Sequence, residues 1–468
     1  MATPNNKILL KNSHRFTDDS LPLFLMAGGF GMWRAWRRVG LDKAIATYDV
    51  FVRDLPANRN YFVFTGLEEV LADLLKWKFS KSDIQTLLKY DVIDKAMAKE
   101  LASFKFDIDV EAMPEGTICF ANEPMIKFTG PLYKLELLYL YIVNAVSSNT
   151  IFSSKCARVV NAAQGKTFVM PATRSHGFES CFKCMRGLYI CGGTPSSSQL
   201  AFWNKYNLKP QAAFIAQTHA FIKSFDGEEE AIIAYGETFK DAVVPILVDT
   251  YDFENGVEVF ISAAKKLKHK HGRIPLLMYI DSGDFVKRSF YARKKLDAAG
   301  MKEVKILVSG NIDEYRLEKI VAKKAPIDLF LGITEIVNSA DAPILEVVHK
   351  LAEIKTERGT RSVMKLTHGK KSYPGRKQVF RIKDKQGHYI KDIIGLEKDK
   401  IANSEKLLEK YLDKGKLIKD LPKLEDIKAY YARYLALMPK KLKSLKPASY
   451  PVELSAGMKK LIANFKHQ

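Results

Sequence analysis

Four segments of this chain close an apolar, β-branched run with small polar or acidic residues. PILVDTYD ends in Asp249, Thr250 and Asp252, and LLMYIDSGD ends in Asp281, Ser282, Gly283 and Asp284. VKILVSGN ends in Ser309 and Gly310, and FLGIT ends in Gly332 and Thr334. A Ser-Gly or Gly-Thr turn that opens onto a helix leaves backbone N–H groups free at the positive end of the helix dipole, which suits phosphate. Carboxylates on the same rim suit a Mg²⁺ ion bridging phosphate oxygens. Turns need glycine in any case, so one such ending says little and four together say more. His219, in AAFIAQTHAFIKSF, follows another strand-like run beside Thr218. It is a candidate for catalysis, with a packed or exposed histidine as the alternative. Arg174, in FVMPATRSH, offers a fork for carboxylate or phosphate, or else a structural ion pair. Lys365, with Thr367, Gly369 and Lys370 in MKLTHGKKSYPG, fits phosphate contact or a solvated hairpin.

These residues need elements to hold them. KTFVMPA, AAFIAQT, AVVPILVDT, IPLLMYIDSGD, VKILVSGN and IDLFLGIT read as strands. Helical stretches at 177–190, 195–207, 227–242, 255–270, 284–299, 312–323 and 341–353 alternate with them. Strand–helix alternation implies a parallel sheet with crossovers, and this many units fit an irregular β/α barrel, with a doubly wound sheet as the alternative. In a barrel, the loops after the strands form the active face. Before it, residues 40–135 read as α+β: strands in YDVFVRDL and NYFVFTGL, a helix in GLEEVLADLLKWKF, a second helix at 81–104 capped by Ser80, and a hairpin in EGTICFANEPMIKFTGP. A long helix starts at Pro131 with a break expected near Ser147. Beyond 355 come hairpins, and 402–468 reads as helical. The expected division is an N-terminal α+β domain at 1–131, a barrel at 132–353, and a basic region at 354–468 that packs back on the first domain.

Length and composition bound the rest. The chain has 468 residues, 47% hydrophobic and 27% charged, which describes two or three globular domains. No run of ~18 uncharged apolar residues exists, and the polar first twenty residues do not read as a secretory signal, so no membrane partner and a cytoplasmic protein are expected. Five cysteines suit a reducing compartment. The Cys181/Cys184 pair lacks a second pair at metal-binding spacing and reads as buried small side chains. The net charge is +21, and residues 355–468 hold 29 basic against 12 acidic side chains. Such a stretch attracts polyanions or is a solvated lysine-rich surface.

Taken in order, these segments resemble the nicotinate phosphoribosyltransferase family over residues 40–380. The parts that carry the likeness are FVRDLPANRNYFVFTGLEEVL, MPEGTICFANEPMIKFTGPL, SSKCARVVNAAQG, TRSHGFES, THAFIKSF, VDTYD, IDSGD, VSGNIDE and KLTHGKKSYPGRKQVFR. The resemblance implies a barrel joined to an α+β domain built from N-terminal and post-barrel segments, usually in a homodimer. It implies transfer of phosphoribose from phosphoribosyl pyrophosphate to nicotinate with ATP as co-substrate, Mg²⁺ as cofactor, and no nucleic-acid partner. By the same likeness His219 is the phosphorylated histidine and Asp281 the second catalytic residue. Arg174 is the second Arg of the FGxRR motif, and Lys155 and Arg158 belong to the KxxR helix. Asp281, Ser282 and Asp284 are the DSGD loop, with Asp281 and Asp284 on the metal, and Ser309 and Gly310 are the phosphate turn. Ser197, Thr218, Asp249, Tyr279, Gly332, Thr334 and Lys365 complete the expected substrate contacts.

The chain also departs from the family pattern. The TDxY stretch reads Leu25–Gly28, the first Arg of FGxRR is Thr173, the Arg before DSGD is Tyr279, and GVGT reads Leu331, Gly332, Ile333, Thr334. Tyr279 or a residue of GMWRAWRR is then the candidate to stack on the substrate ring. Two other readings remain: transfer to nicotinamide or another nitrogenous base, and a non-catalytic descendant that binds nucleotide or nucleic acid.

Overall fold

The computed structural model describes residues 18–170, 176–196, 199–210, 216–332, 334–367, 369–370 and 372–467. Two large sheets organise them. The first is seven-stranded and draws its strands from both ends of the chain: Gly359–Ser362, Val347–Thr356, Ile45–Val52, Ile126–Pro131, Asp109–Ala112, Glu409–Asp413 and Lys416–Leu417, in that spatial order. The second is six-stranded and parallel, in the order Thr194–Pro195, Thr167–Met170, Leu329–Gly332, Ile306–Gly310, Leu276–Ile280, Val244–Leu247. A smaller sheet pairs Lys377–Lys383 with Tyr389–Leu396, flanked by Ser404–Lys406 and Val452–Leu454.

The parallel sheet is the barrel wall. Its apolar strands face helices such as Phe253–His271 and Phe285–Ala298 on the outside. Alternate residues on the other face form a separate small core, Leu247, Leu277, Tyr279, Leu307 and Leu329, closed by Ile222 and Phe221. Side chains alternate across a strand, so this cluster marks the barrel interior. The strand expected in AAFIAQT falls partly on 211–215, outside the described residues.

Several expectations are corrected. The helix expected at 341–353 is instead the strand Val347–Thr356, antiparallel to Ile45–Val52 from Val52↔Val347 to Ile45↔Lys355. Its largely alternating burial matches a half-buried strand, and the partner that selects it lies some 300 residues away in sequence, roughly beyond the reach of any local signal. The 118–131 stretch is no hairpin: Ile118–Cys119 pairs with Phe62–Val63, and Ile126–Pro131 pairs with Ile45–Val52 and Asp109–Ala112. The helix expected at 81–104 is two, Lys81–Lys89 and Lys95–Leu101, the second capped by Asp94 on the Met97 amide. The break expected near Ser147 lies at Leu138, and Tyr139–Ala162 continues through it. The helix expected at 195–207 is reduced to Leu200–Lys205, and the 402–468 region opens with strands before the helix Leu424–Leu437. All five cysteines are free and buried. No helix among the described residues is long and apolar enough to cross a membrane.

Helix Phe253–His271 presses tightly on the end of a barrel strand. A Cβ on Gly256 would stand 2.1 Å from the Val248 carbonyl oxygen. Alanine normally stabilises a helix interior relative to glycine, by about 0.5–1 kcal/mol. Here steric overlap with backbone outweighs that gain. Gly256→Ala is expected to destabilise the fold by about 1–3 kcal/mol, read as a lower urea midpoint.

Candidate active site

The register of the parallel strands brings the polar strand ends to one level. Leu247 pairs with Tyr279, and Tyr279 with Leu307. Two residues further on, with the same side-chain phase, stand Asp249, Asp281 and Ser309. The interior alternation therefore carries these three to the barrel mouth. His219 reaches the same place from the other side, as the first residue of the helix His219–Lys223, whose Phe221 and Ile222 close the interior core.

At the mouth the groups form a connected chain. His219 Nδ1 lies 3.1 Å from Thr250 Oγ1, and its Nε2 lies 3.7 Å from Asp281 Oδ2. The other Asp281 oxygen accepts a short hydrogen bond from the Ser309 hydroxyl. Tyr279 Oη is 2.7 Å from Ser309 Oγ and 3.5 Å from Asp281 Oδ1. Asp249 Oδ2 accepts from the Asp281 amide at 2.9 Å and from the Ser282 hydroxyl at 2.7 Å. His219 and Asp281 are each about one-third exposed, so the pair is open to a ligand.

The rim acids divide into two kinds. Asp249 and Asp281 follow the strand phase and face the mouth. Asp252, Asp284 and Asp313 instead cap the helices that follow, accepting backbone N–H groups in the first turn. Asp284, expected beside Asp281 as a metal ligand, takes the Val286 and Lys287 amides. The Lys287 amide above all holds its carboxyl below the usual range. No cluster of three metal-ligating side chains stands among the described residues. Asp281 is the exposed carboxylate facing the mouth, and Asp249 keeps one buried oxygen, Oδ1, without a hydrogen-bond partner. That donor set suits Mg²⁺ carried mainly by substrate phosphates, with one or two carboxylates.

Other expected residues are placed elsewhere. Lys155 and Arg158 are buried in ion pairs: Lys155 with Glu314 at 2.5 Å and Asp341 at 2.8 Å, and Arg158 Nε with Glu314 at 2.8 Å. Arg59 joins Asp341 at 2.5 Å. Glu314 opens the helix after the Ser309–Gly310 turn, so this cluster braces the turn from below. Gly332 pairs with Gly310, and a Cβ on it would strike Phe168 at 2.4 Å, so packing alone requires the glycine. Thr334 is half-buried just past it, and Thr218 and Lys365 are exposed. Lys365 and Lys370 lie close enough to Lys350, with Arg53, to lower its ammonium pKa after burial itself. Arg174 and Ser197 lie outside the described residues. Trp33 of GMWRAWRR is fully buried, stacked on Tyr133 at 4.3 Å, and cannot meet a substrate ring. An exposed ring at this rim is Tyr251, directly after Thr250.

The sequence reading missed Thr250 as the partner of His219, and it missed Arg288, Glu314, Asp341, Arg59 and Lys350. Glu314 and Arg288 each stand in the first turn or so of a helix that follows a rim loop, a spacing that could have drawn notice.

A barrel whose strand ends gather a histidine, a mouth carboxylate and a Ser-Gly turn is of the β/α-barrel class with a mouth suited to a phosphorylated substrate. The solved human nicotinic acid phosphoribosyltransferase shares the fold, with a TM-score of 0.81 over 95% of this chain and 100% of that one at 22% identity. A nicotinate-nucleotide pyrophosphorylase from Pyrococcus furiosus follows at 0.72, 21% identity, 91% and 98% coverage. The family profiles for the nicotinate phosphoribosyltransferase (NAPRTase) N-terminal and C-terminal domains match residues 29–147 and 400–462. A nicotinate phosphoribosyltransferase of Mycobacterium tuberculosis is 32% identical over 426 residues, covering 90% of this chain and 89% of its own. That of Bacillus subtilis is 29% identical, covering 94% of each. The chain belongs to the nicotinate phosphoribosyltransferase family.

The buried ion cluster yields a test. Burial by itself would raise the Asp341 carboxyl, but Arg59 and Lys155 outweigh it and hold the group well below the usual range. A depressed native pKa contributes stability that is complete above the unfolded value of about 4 and is lost as pH falls through the native one. Asp341→Asn should therefore be less stable than the parent protein at pH 7, and the gap should narrow as pH falls below about 4, measured by urea midpoints. Glu314→Gln strips Lys155 and Arg158 of a shared partner and should cost about 3–5 kcal/mol.

Proposed function

We propose that this chain joins nicotinic acid to phosphoribosyl pyrophosphate, releasing nicotinate mononucleotide and pyrophosphate in NAD salvage, with ATP hydrolysis coupled through His219. The observation that carries this reading is the convergence of His219, Asp281 and Ser309 on one barrel mouth. As the C1–O bond to pyrophosphate breaks, C1 gains positive charge, and the Asp281 carboxylate can stabilise it from a fixed position. The ring nitrogen then closes the new bond to C1, and holding it there supplies the entropic part of the acceleration. The Ser309–Gly310 turn suits the 5-phosphate. Bound Mg²⁺ would offset charge on the departing pyrophosphate, with Asp281 as its protein ligand. Arg53, Lys350, Lys365 and Lys370 form a further basic group of the kind that draws anions.

The contacts of His219 support the coupling step. Thr250 holds Nδ1, which leaves Nε2 facing Asp281 as the nitrogen to accept a phosphoryl group from ATP. The relatives' names support nicotinate as the acceptor. A homodimer acting in the cytoplasm accompanies this reading, in keeping with five free, buried cysteines. One observation favours a second acceptor: Tyr279, a phenol bonded to Ser309, stands where the family pattern has an arginine. On that account nicotinamide is the runner-up.

The test is product formation from phosphoribosyl pyrophosphate and Mg²⁺ with nicotinate, nicotinamide and quinolinate in parallel, each with and without ATP. Nicotinate mononucleotide, formed faster with ATP, is expected. A protein with no affinity for phosphoribosyl pyrophosphate would sink the proposal. His219→Asn should remove the ATP stimulation and leave a slow basal transfer; equal rates with and without ATP in both proteins would reject the coupling role. Asp281→Asn should lose most turnover.

A further inference from the structure

The loop that presents Asp281 is held from its outer side by Arg288. This residue stands four positions after the cap Asp284, on the helix Phe285–Ala298, and folds back over the loop. Its Nη1 donates to the Ser282 carbonyl oxygen at 2.9 Å and to the Ser282 hydroxyl at 2.9 Å. The same nitrogen lies 3.5 Å from Asp249 Oδ2. The guanidinium sits 4.5 Å from the Phe253 ring centroid, an arrangement that orients the fork and favours the charge. Gly283, at φ +80°, makes room, since a Cβ there would approach Arg288 Nε to 2.5 Å.

The Ser282 hydroxyl therefore accepts from Arg288 and donates to Asp249, while Asp249 also accepts the Asp281 amide. The cation, the carboxylate and the loop form one unit, and Arg288 keeps 28% of its side chain exposed at the rim. On the strand itself, Tyr279 puts a hydroxyl, not a charge, beside Ser309. The positive charge that fixes this loop is delivered from the helix.

We propose that Arg288 is a positioning residue that holds the Asp281–Asp284 loop in the shape that receives a diphosphorylated sugar. This rests on the transferase reading above. Charge and placement both matter, because one guanidinium nitrogen meets both Ser282 oxygens and lies beside Asp249 while the planar group stays over Phe253.

The experiment titrates Mg²⁺-phosphoribosyl pyrophosphate into the full chain by calorimetry and measures initial rates with nicotinate, for the parent protein, Arg288→Ala and Arg288→Lys. Arg288→Ala should weaken sugar-diphosphate binding about tenfold or more and raise its KM in step, with the nicotinate KM within about twofold. Arg288→Lys should recover part of the loss, since the charge returns without the planar group that lies over Phe253. The thermal midpoint of Arg288→Ala should fall only modestly, because Asp249 keeps the Asp281 amide and the Ser282 hydroxyl as partners. Binding by Arg288→Ala within about twofold of the parent, or a loss shared equally by both substrates, would overturn the proposal. A parent protein that binds the sugar diphosphate but makes no product refutes the transferase reading and still judges Arg288 by affinity. A parent protein that binds none overturns both.

Discussion

The carboxylate of Asp249 is the tie on which the barrel mouth depends. Its side chain is 2% exposed, and a buried charge is tolerated only where partners compensate it. One oxygen has no hydrogen-bond partner, so compensation falls on the other, which meets the Asp281 amide, the Ser282 hydroxyl and the Arg288 guanidinium. Each of these donors belongs to the loop after the neighbouring strand or to the helix that loop opens. The cost of leaving Asp249 unpaired therefore acts as a restoring force on the loop, and Asp281 is presented to His219 and Ser309 as a consequence.

The same logic recurs one strand further on. Glu314, with a fully buried side chain, holds Lys155 and Arg158, while Asp341 holds Lys155 and Arg59. Four stretches distant in sequence are thereby joined beneath the Ser309–Gly310 turn. Pairs of this kind add little net stability against an apolar alternative, but removing one member leaves an uncompensated charge. Their effect is to specify one arrangement. The basic C-terminal region is used in a comparable way: Lys377 pairs with Asp49 at 2.5 Å and Arg381 with Asp392 at 2.6 Å, all four side chains buried. Part of the positive charge that suggested a polyanion partner is spent in tying that region to the first sheet and closing its own hairpin.

Much of the barrel was legible because its signals are local. Apolar runs ending in Ser-Gly or Asp-Ser-Gly-Asp, followed by amphipathic helices, mark each strand–helix unit within about 30 residues. His219, Asp281, Ser309 and Asp249 were found this way and meet at the mouth. Asp284 shows where such reading stops, because an aspartate at a strand end and an aspartate at a helix cap are one residue type in one loop. The strand phase separates them, carrying Asp281 inward and leaving Asp284 to the amides of the next helix. Lys155 and Arg158 show a second limit. A basic pair on a helix looks the same whether its partner is a substrate or the Glu314 that waits 156 residues later.

The sequence by itself determined the alternation of strands and helices, the turn chemistry at the rim and the identity of the groups gathered there, since each follows from periodicity and residue type over short windows. Tertiary structure alone decided that Val347–Thr356 is a strand rather than a helix, that Trp33 is buried in the core, and that Arg288 lies over Gly283. In each case the deciding partner is remote or crosses a turn, and the energy that selects the outcome comes from a pairing that exists only once the chain has folded.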